Sequence, residues 1–332
     1  MNSFWARTNP PRKLGITRWK EATLDFIRDK KQRHIRLFIR HSRMSVLLRT
    51  IYSLLLKFSG GDHQAAICVI VLDEQRCIDE WIQYNFFLGF THIVIYDNSD
   101  NNSMKYLEEK YVSLVTVIHF PGHPKQLEAY NHFIDKYKGI YKWGAFIDVD
   151  EFIVLHQHNN IESFLTEYCQ EGALALNWLM FGGNGHLSDD GSPILQRFTM
   201  RARKVNPHVK SIVNLADASA FRNSHFPELN YGEVRSPKGQ IVEGSYNPLG
   251  DYEIAVINHY FCKSAEEYDL KIRKGRVDIP AYRTQADYTE HDLNEVLDEK
   301  AWKFFRDHVP FEAWINQSKT INTNIASRSR SL

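Results

Sequence analysis

The chain has 332 residues, 43% of them hydrophobic and 24% charged, with a formal net charge of +1. That is ordinary globular composition, long enough for one large α/β domain or two smaller ones, and it excludes a disordered or fibrous chain. With 41 basic against 40 acidic residues, no overall field draws nucleic acid to it. No apolar run reaches the roughly 20 residues of a membrane span.

Arg and Lys nevertheless crowd the first 57 residues. Residues 34–58 read as a basic amphipathic helix, suited either to an anionic membrane surface or to packing on the following domain. Ser59-Gly60-Gly61-Asp62 marks a linker. The four cysteines, Cys68, Cys77, Cys169 and Cys262, form no Cys-x-x-Cys pair and resemble free thiols of a reducing compartment. With no apolar leader near the start, the expected location is cytoplasmic, with peripheral contact to an anionic membrane.

Strands and helices then alternate. Residues 65–72 (AAICVIVL) form a continuous β-branched run, the pattern of a strand buried on both faces. Residues 73–88 are helical, with Ile78, Trp81, Ile82 and Phe86 at helical spacing and Gly89 as the stop. Strands are predicted over 91–96, 114–120 and 145–149, and helices over 104–110 and 124–137. This order argues for a doubly wound, mostly parallel sheet with helices on both faces. Further on come a helix at 161–168, a strand at 173–180, a Gly-rich loop at 181–190, a strand at 254–261, and helices at 264–275 and 292–306.

The segment Trp143-Gly144-Ala145-Phe146-Ile147-Asp148-Val149-Asp150-Glu151 carries the most chemistry. An apolar run ends in three carboxylates within four residues, an arrangement that costs stability unless the charges have a use. If the strand continues through them, Asp148 and Asp150 share a face. Two hard oxygen ligands there suit Mg²⁺ or Mn²⁺ gripping substrate phosphates. The structural alternative is a strand followed by an acidic turn.

Several further motifs keep a fixed order: Leu72-Asp73-Glu74; Glu80-Trp81-Ile82-Gln83-Tyr84; Tyr96-Asp97-Asn98-Ser99; Trp178-Leu179-Met180-Phe181-Gly182-Gly183-Asn184-Gly185-His186; His225-Phe226-Pro227; and Asn258-His259-Tyr260-Phe261-Cys262-Lys263-Ser264. Together with the acidic segment they resemble the family-2-like, family-92-type glycosyltransferases of GT-A fold, over roughly residues 65–275. One departure is Leu72-Asp73-Glu74, where many relatives read Lys-Asn-Glu. The resemblance implies a basic extension at 1–60, a GT-A-like domain at 61–275 and a helical extension at 276–332. It implies an inverting, metal-dependent transfer from a UDP- or GDP-sugar to a glycan or lipid-linked acceptor.

Residue by residue, the resemblance places the donor on Glu74, Asp97, Asp148 and Lys263. It places Mn²⁺ or Mg²⁺ on Asp148, Asp150 and His259, with His225 as the alternative. Glu151, Trp178 and His186 fall on the acceptor side. The proton acceptor for inversion is open among Asp189, Asp190, Asp217 and Glu228, with Asp190 the nominal choice. Lys210 and Arg203 are further candidates for neutralising a diphosphate. Two other classes compete: a non-catalytic nucleotide- or glycan-binding module on a degenerate GT-A fold, and a metal-dependent phosphoesterase or nucleotidyltransferase.

Overall fold

The structure is a computed structural model that describes residues 65–308. The predicted basic helix at 34–58 and the linker at 59–62 lie outside the described residues, as does the chain beyond 308. In order, the first elements are β1 (Ala65–Val71), α1 (Ile78–Leu88), β2 (His92–Asp97), α2 (Tyr106–Lys110), β3 (Val115–His119), α3 (Gln126–Tyr137), β4 (Trp143–Phe146) and β5 (Glu151–Leu155). Then follow α4 (Ile161–Tyr168), β6 (Ala173–Met180), α5 (Ile194–Arg197), β7 (Met200–Arg201), β8 (Asn206–Asn214), β9 (Ala218–Phe221), β10 (Pro227–Leu229) and β11 (Val234–Arg235). The last are β12 (Ala255–His259), α6 (Ala265–Lys274), α7 (Gln285–His291), β13 (Val296–Leu297) and α8 (Lys300–His308).

Nine strands build one sheet in the order β3-β2-β1-β4-β8-β6-β12-β5, with β11 beside β6. The β3-β2-β1-β4 half is parallel, as the alternation of strands and helices predicts. The other half is mixed: β8 runs antiparallel to both β4 and β6, and β5 antiparallel to β12. The molecule is therefore α/β, with a large mixed sheet consistent with a GT-A-like fold.

Every residue of β1 is buried, which explains its unbroken apolar sequence. Ala66, Cys68 and Ile70 face a cluster with Tyr130 and Phe133 of α3, and Phe146 of β4. Ile67 and Val69 are buried on the opposite face. Helix α1 is pinned to β5 by two side chains: Trp81 Nε1 donates to the Glu151 carbonyl at 2.8 Å, and Tyr84 Oη to the Ile153 carbonyl at 2.8 Å. Gly89 ends α1 with a φ of 106°, a left-handed conformation that glycine adopts without strain.

Two predicted boundaries move in ways that matter for the site. Strand β4 stops at Phe146, so Asp148 and Asp150 sit in a turn, not on an extended strand. The Glu151 amide donates to the Asp148 carbonyl at 3.0 Å and closes that turn. The second shift is at the C-terminal side: the predicted helix 292–306 begins only at Lys300, and residues 296–297 instead pair with β7.

Candidate active site

The β4–β5 turn presents its carboxylates to two different partners. Asp148 Oδ2 accepts from Lys210 Nζ at 2.9 Å, and Oδ1 from Gln126 Nε2 at 2.9 Å. Asp150 Oδ2 accepts from Lys271 Nζ at 2.6 Å, while Oδ1 faces His259 Nε2 at 3.6 Å. Glu151 is fully buried; one oxygen accepts the Asp148 amide at 2.9 Å and lies 3.8 Å from Lys210. Its other oxygen has no partner.

Burial sets the electrostatics first and the lysines then correct it. Burial alone would raise the Asp150 pKa, but Lys271 and His259 hold it well below the ordinary carboxylate range. Glu151 is pushed the other way, because burial dominates and Asp148 and Asp150 add like charge. The pKa values of these two adjacent acids are thus shifted in opposite directions. Burial also lowers the His259 pKa, although Asp150 opposes it. The neutral imidazole that results is the form that ligates metals.

Helix α6 delivers two of the cations that line the cavities. Ser264 and Glu267 form a capping box at its start. Lys271 and Lys274 lie in its last turn, where the helix dipole favours cations. Lys274 Nζ donates to Glu74 at 2.7 Å and to the Asp73 carbonyl at 2.8 Å. Lys263 reaches the other Glu74 oxygen at 3.5 Å. Burial would raise the Glu74 pKa, but Lys263 and Lys274 bring it down to about 2.

Both Asp73 and Lys263 take a left-handed φ of 53°. Asp and Asn are the side chains that tolerate this region best. Asp73 in place of Asn therefore preserves the backbone geometry at that position.

Two cavities meet here. One of about 940 Å³ is lined by Glu74, Cys77, Lys263, Lys274 and the loop at Asn101, Asn102 and Ser103. The other, of about 290 Å³, is lined by Asp148, Asp150, His259, Trp178, His208 and His225, with Arg276, Asp278, Asp287 and His291 across from them. Lys271 and Lys274 line both.

Several residues singled out from sequence are thereby brought together: Glu74 and Lys263 in the first cavity, and Glu74, Asp148, Asp150, His259, His225 and Trp178 in the second. Glu151 lies beneath them. Asp97 is placed differently. It is fully buried, and both its oxygens are taken by its own loop: Oδ1 by Ser99 Oγ at 2.6 Å and Oδ2 by the Met104 amide at 2.7 Å. It shapes the loop that lines the larger cavity.

Asp190 and His186 line neither cavity. The Asp190 side chain is 56% exposed and accepts from the Ser192 amide at 2.9 Å. His186 packs on Phe198. The loop that carries them is tied to α6 by the Ala265 amide on the His186 carbonyl and by Arg197, which forks Glu267 at 2.7 and 3.1 Å. Trp178 is wedged among three histidines, with ring centroids 4.9 Å from His208, 5.2 Å from His225 and 4.4 Å from His259.

Sequence reasoning missed Lys271, Lys274, Gln126, His208 and His291. Lys271 and Lys274 carried one signal, a basic pair three apart at the end of a helix capped by Ser264. Lys210, already a candidate from the sequence, lies on β8 as a lone charge in an otherwise apolar stretch.

Among the described residues, no three of His, Cys, Asp and Glu gather into a preformed metal cluster. Asp150 and His259 nonetheless fit a divalent ion. Their facing atoms are 3.6 Å apart, compatible with two bonds of about 2.1 Å. An ion held by one or two carboxylates plus substrate phosphates needs no complete protein cage. Asp148 fits less directly, since both its oxygens are engaged.

The sequence profile described as Glycosyltransferase family 92 matches residues 63–296. A family 92 protein of Arabidopsis thaliana is 26% identical over 224 residues, covering 61% of this chain and 36% of its own length. One of Ricinus communis is 24% identical over 205 residues, covering 60% of this chain and 35% of its own. One of Oryza sativa subsp. japonica is 25% identical over 157 residues, covering 46% and 27%. The chain thus spans little more than a third of the length of the first two relatives.

Proposed function

Since the chain belongs to glycosyltransferase family 92, we propose that it transfers one sugar, with inversion, from a nucleoside-diphosphate sugar to a glycan or lipid-linked acceptor. The observation that carries this reading is the pairing of an acidic turn with the basic last turn of α6 across one cavity. Asp150 and Lys271 meet there at 2.6 Å. A diphosphate needs both signs: cations to neutralise it and carboxylates to hold the divalent ion that accompanies it.

In this reading the nucleoside occupies the 940 Å³ cavity beside Glu74 and the Asn101–Ser103 loop. Lys263, Lys271 and Lys274 bind the phosphates as point charges. Asp150 and His259, with Asp148 behind them, would hold Mn²⁺ or Mg²⁺. When bound, the ion supplies Lewis-acid stabilisation of the leaving diphosphate. Lys210 holds Asp148 in place through Oδ2; buried Glu151 holds the turn through the Asp148 amide.

A base for the acceptor hydroxyl has to reach the second cavity. Asp278 there is forked by Arg276, and Asp287 caps α7. His291 donates its Nδ1–H to the Asp287 carbonyl at 2.8 Å, which leaves Nε2 as the proton acceptor. His291 therefore replaces Asp190 as the base in this proposal.

No helix among the described residues is long and apolar enough to cross a membrane. The four cysteines are buried free thiols, which supports a reducing compartment such as the cytoplasm.

The test is a thermal-shift panel of UDP, GDP and their sugars, with Mn²⁺ or with EDTA. A ligand at 100 times its Kd stabilises the native state by about 2.7 kcal/mol. The expected result is a rise with one nucleotide class that needs Mn²⁺. No shift with any nucleotide, together with no transfer, refutes the reading.

A further inference from the structure

We infer that His208 and Tyr246 form a second sugar-binding subsite, at the mouth of the acceptor cavity, for the next unit of a glycan acceptor. This rests on the transferase reading and extends it, since it sets the acceptor as a glycan of two or more units. A continuous series of contacts leads there from the acidic turn. Asp150 faces His259 at 3.6 Å, and His259 packs on Trp178 with centroids 4.4 Å apart. Trp178 stacks on His208 at 4.9 Å and 23°. His208 then packs on Tyr246 at 4.5 Å. The first four residues line the cavity, whereas Tyr246 is 55% exposed.

An exposed tyrosine alone means nothing. This one is held rigidly. Residues 208 and 246 form a β-bridge, and on either side the Val209 amide donates to the Ser245 carbonyl at 3.1 Å and the Asn247 amide to the Pro207 carbonyl at 2.7 Å. Asn247 is buried and locked to Asn177, its amide group donating to the Asn177 side chain at 2.9 Å. Ser245 Oγ donates to Asn223 at 3.0 Å, on the loop that carries His225. The ring is thus presented to solvent on a backbone fixed at both ends, which reduces the ordering cost of binding.

The chemistry around it favours a neutral pyranose. The C–H face of a sugar is slightly positive and packs on the negative face of an aromatic ring. Its hydroxyls need neutral donors and acceptors nearby, which Ser224, at the cavity wall, and the His208 imidazole supply. Burial lowers the His208 pKa and keeps that ring uncharged near neutrality. Trp178 cannot play the stacking part itself, because its ring is packed among three histidines.

The experiment is saturation-transfer NMR on the full chain. The probes are methyl glycosides of glucose, galactose, mannose and N-acetylglucosamine, as monosaccharides and as β-linked disaccharides. Aromatic protons are saturated. At least one disaccharide should receive more transfer than its monosaccharide. Tyr246→Ala should weaken that disaccharide about five- to tenfold while sparing the monosaccharide. Tyr246→Phe should retain binding, which separates ring stacking from the hydroxyl. The UDP or GDP thermal shift with Mn²⁺ should be the same in all three proteins. Wild-type binding of the disaccharide by Tyr246→Ala overturns the subsite, and so does an absence of transfer to every probe. In both cases a surviving nucleotide shift leaves the transferase reading standing. Loss of that shift in the wild type would remove the transferase reading itself.

Discussion

Replacing Asp150 by Asn separates what this carboxylate does for the fold from what it does for a ligand. Removing one member of a buried ion pair typically costs about 3–5 kcal/mol, because the other charge is left without compensation. Here the abandoned group is Lys271, whose side chain is 16% exposed. It keeps the Phe261 carbonyl at 3.0 Å and the Phe261 ring at 4.4 Å, and Asn still offers an oxygen. A loss of about 2 kcal/mol is therefore expected, or a fall in Tm of about 4–8 °C for a domain of this size. Deleting the ammonium as well, in Asp150→Asn with Lys271→Met, should return stability to within about 1 kcal/mol of wild type. Transfer should behave differently: Asp150→Asn should lose at least about 100-fold in kcat/KM, and the double variant should not regain it. Thermal melts and initial rates on the four proteins of the cycle read both quantities. Recovery of transfer in the double variant would falsify the ligand role, leaving Asp150 as a counter-ion for Lys271 and nothing more.

Two further outcomes concern the frame around the site. Glu267 has its pKa lowered from 4.5 to about 2: burial works against this, and the Arg197 fork overcomes it. A depressed folded-state pKa contributes stability that is present above about pH 4.5 and is lost as pH falls towards 2, here on the order of 3 kcal/mol. Urea melts across that range should show a shallower acid slope for Glu267→Gln than for wild type; identical slopes refute the pairing. Gly144→Ala should destabilise by about 1–3 kcal/mol, because a Cβ there would meet Leu215 Cδ2 at 2.9 Å and Phe133 Cε1 at 3.0 Å. Unchanged denaturation midpoints would show that this packing is not tight.

The parallel half of the sheet was legible because β1, β2 and β4 are buried on both faces and bounded by turn residues. For β6 and α4 the predicted limits, 173–180 and 161–168, coincide with those observed. Strand β8 escaped because its sequence, NPHVKSIVN, breaks the apolar run with Lys210. That lysine is 1% exposed and is tolerated only because Asp148 and Glu151, over 50 residues earlier, approach it. Local pattern carries no information about such a partner. The same limit explains Asp97 and Asp190. Both are acids next to turn residues, and whether a carboxylate faces a cavity or its own loop depends on backbone amides within a few ångströms.

The acidic turn itself was read correctly as costly, but its compensation lay elsewhere in the chain. The protein neutralises Asp148 with Lys210 from β8 and Asp150 with Lys271 from α6. This arrangement resolves the stability problem posed by clustered carboxylates, and it also puts cations where a diphosphate would need them. The two needs are met by the same side chains. A purely structural pairing would bury both partners away from any cavity. Here Asp148, Asp150 and Lys271 all line one, and the deepest member, Lys210, sits behind them to hold the turn. Charge balance that opens onto a cavity can be exchanged for a ligand with the same balance, and a metal–diphosphate pair is one.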